Sequence, residues 1–279
     1  MNHLIRIALA AAVACSAPAA FAAASSALAI HTVTITLTDL DPLDGIAPSI
    51  TPLYASQPYL NVGAAGFDPG YSNDAYAALG GKAGSQLAGA ASTPFAQSSA
   101  LVSGAATIAG FDGMTLAGGA QSSAVGYGEY GALAASFTAM NFTISANTAV
   151  TVTFGATIDL ATTIGMDAVT GESELAKAHL LLRMDGVGDD GIPSVDELFF
   201  EPFAAYRFDA LGNPVGDAFH WAGDLSVSFS NLDNHDNLAT FYGEGGLGGH
   251  SIAAVPEPAT YGMLLGGLAL LGAAARRRR

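Results

Sequence analysis

An acidic stretch bent by glycines is the part of the chain whose residue types and spacing favour metal chemistry. Residues 185–197, DGVGDDGIPSVDE, carry five carboxylates within thirteen positions. Calcium ions need several oxygen ligands at short range, and small residues between carboxylates let a loop fold around the ion. The stretch is typical of an acidic surface turn, and it also predicts a candidate Ca²⁺ site. The ligands of that site would be Asp185, Asp189, Asp190, Asp196 and Glu197.

Two further polar stretches contain metal-ligand residue types without a metal-binding spacing. Asp39, Asp41 and Asp44 surround Asp-Pro and Asp-Gly steps, which are ordinary turn chemistry. Ca²⁺ binding is the alternative there. Residues 231–237 hold His235 among carboxylates and asparagines, but they lack the HxH and HExxH spacings of zinc sites. We predict an acidic turn for the first stretch and a solvated loop for the second.

Aromatic residues supply a second kind of candidate site. Trp221 is the sole tryptophan, and an aromatic face can pack against the C–H surface of a sugar ring. We therefore predict Trp221 as a candidate ligand-binding residue, with packing in or at the rim of the core as the alternative. Four tyrosines could form a similar platform, namely Tyr54, Tyr59, Tyr71 and Tyr76.

Two glycine-rich segments match a nucleotide-binding pattern in their letters. Residues 126–131 and 243–248 both satisfy GxGxxG, but a dinucleotide site needs a preceding strand and a following helix in a βαβ unit. We predict glycine-rich loops at both places. The sequence contains no GxSxG motif, and its single cysteine, Cys15, lies near the N-terminus. The sequence therefore predicts that the protein is not an enzyme and, Ca²⁺ apart, uses no cofactor.

The charge balance excludes one large class of partners. Without Arg6 and the four terminal arginines, the chain keeps four basic and 24 acidic residues, a net charge of −20. Nucleic-acid binding depends on clustered Lys and Arg that neutralise phosphates. We therefore expect no nucleic-acid partner.

The N-terminus has the three parts of a secretory leader. A short positive region, residues 1–6, precedes an apolar run, residues 7–17, and Ala20-Phe21-Ala22 offers a small-x-small cleavage site. We predict a signal peptide over 1–24, cut after Ala22 or Ala24. The Sec translocon and signal peptidase are then the expected partners in export.

The body, residues 25–254, has a β pattern. Val33, Ile35 and Leu37 alternate with threonines, which is the period of a half-buried strand. Apolar alternation on both sides of Ala146-Asn147 predicts a hairpin there, and residues 77–87 could form a short helix. Several strands at this spacing favour an all-β, antiparallel β-sandwich, jelly-roll-like. A β-helix is the alternative, disfavoured because no fixed repeat is visible.

One part of the body is unusually poor in large residues. Residues 77–135 are rich in Gly, Ala and Ser. The composition suits a spacer segment, but apolar residues recur there regularly. We therefore favour small-residue strands and turns within the sandwich.

The last 25 residues combine three features in a fixed order. A Val-Pro-Glu-Pro motif precedes an apolar run of 17 residues, 259–275, and a basic end. The run is near the lower limit for spanning a bilayer core of about 30 Å, so we predict one transmembrane helix. Lys and Arg beside such a segment resist translocation, which keeps the end cytoplasmic. The motif is Val255, Pro256, Glu257 and Pro258, and the basic stop is Arg276, Arg277, Arg278 and Arg279.

This arrangement resembles the PEP-CTERM domain, the C-terminal sorting signal that exosortases recognise in Gram-negative bacteria that make extracellular polysaccharide. The resemblance covers residues 255–279 and implies an exosortase as partner, transient anchoring in the inner membrane, and then a cell-surface or extracellular location. The acidic β-sandwich body together with this route predicts a non-catalytic structural protein associated with exopolysaccharide or biofilm. The alternative is a carbohydrate-binding module, assisted by Ca²⁺.

Overall fold

The computed structural model describes residues 23–54, 57–67, 70–79, 86–103, 107–122, 126–136, 139–163, 171–188, 191–252 and 268. Within these ranges the chain is almost entirely β-strand, and every strand pairing is antiparallel. Two large sheets pack face to face with the apolar core between them. The predicted all-β, antiparallel sandwich is confirmed, whereas a jelly-roll arrangement is not.

Among the described residues, the first sheet contains six strands, and all strands are numbered along the chain. The two longest, of 17 and 15 residues, lie side by side and pair over most of their length. In order across the sheet the strands are β16 (Ala218–Asn231), β10 (Thr148–Thr162), β1 (Ala23–Asp39), β7 (Thr115–Gln121), β6 (Ala96–Ser103) and β5 (Gln86–Ser92).

The second sheet contains nine strands in the part of the chain that the structure describes. Its main path is β12 (Pro193–Phe200), β11 (Leu175–Val187), β17 (Asn237–His250), β8 (Tyr127–Ser136), β3 (Pro58–Phe67) and β4 (Tyr71–Leu79). Three short strands extend it: β13 (Phe203–Ala204) on β11, β9 (Met140–Ile144) on β17, and β2 (Ile50–Tyr54) on β9. A separate ribbon pairs β14 (Tyr206–Phe208) with β15 (Pro214–Gly216).

The first strand changes its buried face part of the way along. Leu28 and Ile30 are both 1% exposed, at even positions, whereas Val33 and the apolar residues after it pack on the core from odd positions. The pairing with β10 shifts between Ile30 and Thr32. A bulge inserts one extra residue and so reverses which side chains point inward. The predicted alternation is confirmed. The bulge joins a segment whose even-numbered side chains point inward to one whose odd-numbered side chains do.

The turn predicted at Ala146-Asn147 exists, but the hairpin prediction is wrong. Asn147 has φ 47°, typical of a tight turn. The strands that flank it belong to different sheets, since β9 pairs with β2 and β17 while β10 pairs with β1 and β16. Ser145 and Ala146 are both buried, so the chain crosses between the sheets at this point. Alternation alone predicts two strands and does not say whether they pair.

The short helix predicted over 77–87 is also wrong where the structure describes it. Residues up to 79 belong to β4 and residues from 86 belong to β5; positions 80–85 lie outside the described residues. The rest of the small-residue segment 77–135 supplies β5, β6, β7, most of β8 and the 3₁₀ helix Ile108–Phe111. Helix propensity of alanine is a weak preference that tertiary packing overrides.

Small residues line the interior because large side chains cross from the opposite sheet. A Cβ on Gly118 would lie 2.2 Å from the Tyr130 ring, and one on Gly186 would lie 2.2 Å from the Phe229 ring. Both distances are well inside van der Waals contact, so glycine leaves the space that each ring fills. The composition of 77–135 thus follows from packing.

Both GxGxxG segments lie within strands, so the prediction of loops is wrong. Residues 127–131 belong to β8 and residues 243–248 to β17, and these two strands pair with Gly131 opposite Gly248. A Cβ on Gly128 would lie 2.2 Å from the Phe95 carbonyl oxygen. Glycine inside a strand often marks such a close approach of backbone.

The two terminal signals fall largely outside the described residues. Ala23 and Ala24, the last two positions of the predicted leader, are the first two of β1, and Ala24 is 1% exposed. Residues 1–22 and the predicted membrane segment 259–275, apart from Leu268, are not described. Among the described residues, none forms a helix long and apolar enough to cross a membrane.

Candidate functional site

The described part of the acidic stretch 185–197 belongs to a strand hairpin. Asp185 and Glu197 lie on the outer face, where Arg183 contacts both at 2.9 and 3.4 Å. The hydrogen bond and charge of Asp185, with a smaller effect of Glu197, raise the pKa of the Arg183 guanidinium. Asp196 lies on the inner face, where it is paired with Met184 of the neighbouring strand. It accepts a hydrogen bond from the Ser228 amide at 2.6 Å. Strand geometry therefore separates these carboxylates.

The candidate Ca²⁺ site stays a prediction. Asp189 and Asp190 lie outside the described residues. Among the described residues, no group of three or more His, Cys, Asp or Glu side chains is arranged to hold a metal ion. Of the three described candidates, two share one arginine and the third binds a backbone amide of the facing edge strand.

The second acidic turn is held by hydrogen bonds of its own carboxylates. Asp39 accepts from the Asp41 amide at 3.0 Å, and Asp44 accepts from the Ile46 amide at 2.7 Å. The Asn147 side-chain amide donates to Asp44 at 2.8 Å. This bond, followed by the Ile46 amide, lowers the pKa of Asp44. The predicted acidic turn is confirmed, and its bonds from an Asp side chain to the amide two residues on are of the Asx type.

The polar loop 231–237 is more ordered than a solvated loop. The Asn231 side-chain amide donates to the carbonyls of Ile144, Ser145 and His235 at 3.2, 3.0 and 2.8 Å. Asn237 donates to Asn231 at 2.9 Å. Both asparagines are buried, whereas His235 is exposed. The loop therefore fixes the crossing between the sheets, a role its composition did not indicate.

Trp221 packs against the core rim. It pairs with the buried Ile158, and its ring lies 4.9 Å from the Phe200 ring at a tilted angle. The contact spans the space between β16 and β12, the edge strands of the two sheets. Trp221 therefore packs at the rim of the core, which is the alternative to a ligand-binding role. Its role in binding a ligand stays a prediction.

The predicted tyrosine platform is divided between two faces of the second sheet. Tyr76 is opposite Val62 on the inner side and covers Gly89 of β5. Tyr71 is on the outer side and 66% exposed. Tyr59 lies further along β3, and the Tyr54 side chain is outside the described residues. The three described side chains do not form one surface.

Tyr71 instead belongs to an aromatic row across three neighbouring strands. Phe67 of β3 pairs with Tyr71 of β4 on one side and with Tyr127 of β8 on the other. The Phe67 and Tyr127 rings are stacked, with centroids 4.7 Å apart and planes at 14°, and Tyr71 lies 5.2 Å from Phe67. Cross-strand aromatic pairs stabilise neighbouring strands. Phe67 and Tyr127 are not among the aromatic residues that the sequence predicts as a platform.

A cleft of about 410 Å³ lies beside this row, at the end of β17. Three separate parts of the chain meet there: the start of β8, the segment leading into β11, and the end of the body. His250 donates from Nε2 to the Ser173 carbonyl at 3.0 Å. The lining residues are Tyr127, Glu129, Glu172, Ser173, His250, Ser251 and Ile252.

Behind the cleft, Tyr130 connects the two sheets. Its hydroxyl lies 2.7 Å from the Ser26 hydroxyl of the first sheet, and its ring fills the space over Gly118. Burial raises the pKa of Tyr130 to about 12; the bond to Ser26 opposes this effect, and the charge of the buried Glu174 adds to it. The inner side of β8, behind the cleft, is therefore closely packed.

A second group of titratable side chains lies on the outer face of the same sheet. His179 contacts Glu244 at 2.9 Å, and the Tyr242 hydroxyl donates to the same carboxylate. The bond to His179 lowers the pKa of Glu244. Burial, followed by the bond to Glu244, raises the pKa of Tyr242. These contacts join β11 to β17.

The end of the body is fixed to β8. Ser251 donates from its amide to the Gly128 carbonyl at 3.0 Å, and its hydroxyl accepts from the Gly128 amide at 3.1 Å. Ile252 is 5% exposed. Two residues later begins the segment that carries the predicted sorting signal.

Comparison with known proteins identifies that segment. Residues 254–279 match the family model of the PEP-CTERM protein-sorting motif. No curated protein and no solved structure was found to be similar to the chain. The fold and the matched motif together define a β-sandwich protein with a C-terminal sorting signal. The motif implies an exosortase as processing partner and a surface or extracellular destination.

Proposed function

We propose that this chain is a non-catalytic structural protein of the cell surface or of an extracellular polysaccharide matrix of the biofilm type. The Sec translocon and signal peptidase export it and remove the leader. The apolar segment 259–275 then holds it transiently in the inner membrane with the arginines on the cytoplasmic side. An exosortase processes it at the Pro-Glu-Pro motif.

One observation carries the proposal: the sorting motif follows the folded body almost without a spacer. Ile252 is only 5% exposed, and the matched motif begins at residue 254. A chain spans at most about 3.6 Å per residue. The body is therefore presented directly at the membrane surface when the signal is processed.

The body suits a structural role in a hydrated matrix. Its longest strands pair over fourteen or more residues without a Pro interruption, as β1 does with β10. Its excess of carboxylates keeps copies apart by charge repulsion.

The experiment replaces Pro256, Glu257 and Pro258 with alanine in the native host. Because the motif is the processing signal, we expect the variant to accumulate at full length in the inner-membrane fraction. Immunoblots of fractionated cells and culture medium measure this. Leu211→Ala, at a position 86% exposed in the β14–β15 turn, is the matched control and should be processed normally. Unchanged processing of the triple variant would contradict the proposal.

A carbohydrate-binding role is the second candidate function. The cleft lined by Tyr127 favours it, because an aromatic ring and carboxylates meet there. Retention of the purified protein on the host's own exopolysaccharide, with and without EGTA, tests this role. Loss of retention in EGTA would support carbohydrate binding that needs Ca²⁺. No retention in either condition would contradict carbohydrate binding with or without Ca²⁺.

A further inference from the structure

We propose that the cleft between Tyr127 and His250 binds a single pyranose ring of a neutral polysaccharide, with the ring stacked on the Tyr127 face that Phe67 does not cover. This inference rests on the proposed matrix function and adds to it a ligand class and an attachment point. The aromatic row, the polar lining and the charge of the cleft each support it.

Tyr127 has one covered face and one face available to a ligand. Phe67 stacks on it from the β3 side, at 4.7 Å and 14°. Since β8 lies between β3 and β17, the opposite face is directed toward β17. That strand ends at His250, which pairs with Glu129, so within the described ranges no strand lies beside Tyr127 on this side. The cleft occupies this position, and Tyr127 is 36% exposed.

The stack on Phe67 also holds the Tyr127 ring in place. A phenyl neighbour at stacking distance restricts rotation of the tyrosine side chain, and Phe67 is itself supported by Tyr71 at 5.2 Å. An aromatic surface that is fixed before binding loses little conformational entropy when a ligand packs against it. The row therefore makes Tyr127 a rigid surface for stacking.

The polar lining suits hydroxyl groups around such a ring. Glu129 and Glu172 contribute carboxylates, which accept hydrogen bonds from hydroxyls, and Ser173 contributes a hydroxyl that both donates and accepts. A pyranose has C–H groups on its faces and hydroxyls at its edge. Stacking on Tyr127 would direct the edge hydroxyls toward these groups.

The charge and the size of the cleft restrict the ligand further. None of the seven lining residues is Lys or Arg, and two are glutamates. Phosphate, sulfate or uronate groups would be repelled there, so the ligand is a neutral sugar. The volume of about 410 Å³ falls within the range of roughly 300–1,000 Å³ that is typical of small-ligand sites.

The cleft lies close to the start of the sorting motif. Ile252 lines it, and the sorting motif begins at residue 254. A sugar bound there would lie beside the C-terminus that processing creates. The cleft would therefore attach the body to the matrix at the end by which it leaves the membrane.

The test measures binding to the full chain in a polyoxyethylene detergent, which has no sugar headgroup. The probes are cellotetraose, laminaritetraose, maltotetraose and mannotetraose. Isothermal titration calorimetry measures the binding of each one. We expect at least one to bind with a Kd of about 1 mM or lower. Tyr127→Ala should weaken that binding about five- to tenfold, because the stacking surface is lost. Glu129→Gln should weaken it about threefold or more, because a charged acceptor is lost.

Two variants serve as matched controls. Tyr127→Phe keeps the ring and should bind within about twofold of the unaltered chain. Trp221→Phe alters the other candidate aromatic residue and should leave binding unchanged. Circular dichroism of each variant checks that the sandwich is intact.

Several results would overturn the proposal. These are no binding of any probe at about 10 mM, equal binding by the Tyr127→Ala variant, or a loss confined to the Trp221→Phe variant. Binding of tetramethylammonium without binding of any tetrasaccharide would also overturn it, since the cleft would then be a cation site. Because the assay does not depend on export, saccharide binding together with failed sorting would refute the proposed route and leave the site standing.

Discussion

Tyr127 and Tyr130 lie three residues apart on the same strand and have opposite surroundings. Tyr130 points inward, is 6% exposed, and bonds to Ser26 of the other sheet. Tyr127 points outward, stacks on Phe67, and lines the cleft. Successive side chains of a strand alternate between the two faces, so an odd separation places the two rings on different sides.

The comparison shows that a residue type does not determine its role. Both tyrosines occur in the same glycine-rich segment, 126–131. One stabilises the fold because a glycine opposite leaves it room. The other is available to a ligand because the neighbouring strand ends beside it. The following predictions test that division of roles.

The largest difference should appear when each ring is removed. Tyr130→Ala should lower the free energy of unfolding by about 4 kcal/mol, because it leaves a cavity between the sheets. Tyr127→Ala should cost about 1 kcal/mol, the worth of one exposed aromatic pair. Urea unfolding followed by circular dichroism measures both. Equal losses would show that the two faces of β8 are not distinct.

High pH should lower the stability that the buried Tyr130 hydroxyl contributes. The pKa of Tyr130 is raised to about 12 from an ordinary value near 10. The unfolded chain releases this proton first, so its contribution is fully present below pH 10 and is lost as the pH rises to about 12. The loss should be about 1.4 kcal/mol per pH unit across this window.

Tyr130→Phe is the matched variant for this prediction, and the unaltered chain is its reference. The variant should lose stability less steeply above pH 10, because it lacks the proton that the unfolded chain releases first. Part of the decline should remain, because the pKa of Tyr242 is also raised. Unfolding midpoints measured from pH 9 to 11.5 give the slopes, and equal slopes would contradict the assignment.

The smallest effect tests the space that Tyr130 fills. Gly118→Ala should lower the free energy of unfolding by about 2 kcal/mol, since the new methyl group would lie 2.2 Å from the ring. Gly63→Ala is the control, because its Cβ meets nothing within 4 Å. It should be neutral or stabilise the protein slightly. Thermal unfolding of both variants measures the difference, and a neutral Gly118→Ala would mean that the ring has room to move.

Much of the architecture could be predicted from local patterns. The alternation around Val33 identified a strand, and the recurring apolar residues of 77–135 indicated strands in the sandwich. Pairing could not be predicted in the same way. The turn at Asn147 joins strands of different sheets because buried Ser145 and Ala146 cross the interior. Such a crossing has the same periodicity as a hairpin.

The candidate site was harder to predict than the fold. Trp221 was selected as a rare aromatic residue, but its position opposite buried Ile158 turns it toward Phe200. Tyr127 was overlooked because its glycine neighbours indicated a loop. The two-residue spacing of Tyr127 and Glu129 could have suggested one face of a strand. No spacing could have brought Glu172 and His250 beside them.

The sequence by itself determined the sorting signal at 254–279, because a motif, an apolar run and a basic cluster act in linear order. It also determined the β class and the acidic charge, which depend on periodicity and composition. Only the tertiary structure decided which side chains are exposed together. That outcome depends on strand register and on where a neighbouring strand ends, and both are set by contacts between residues far apart in the chain.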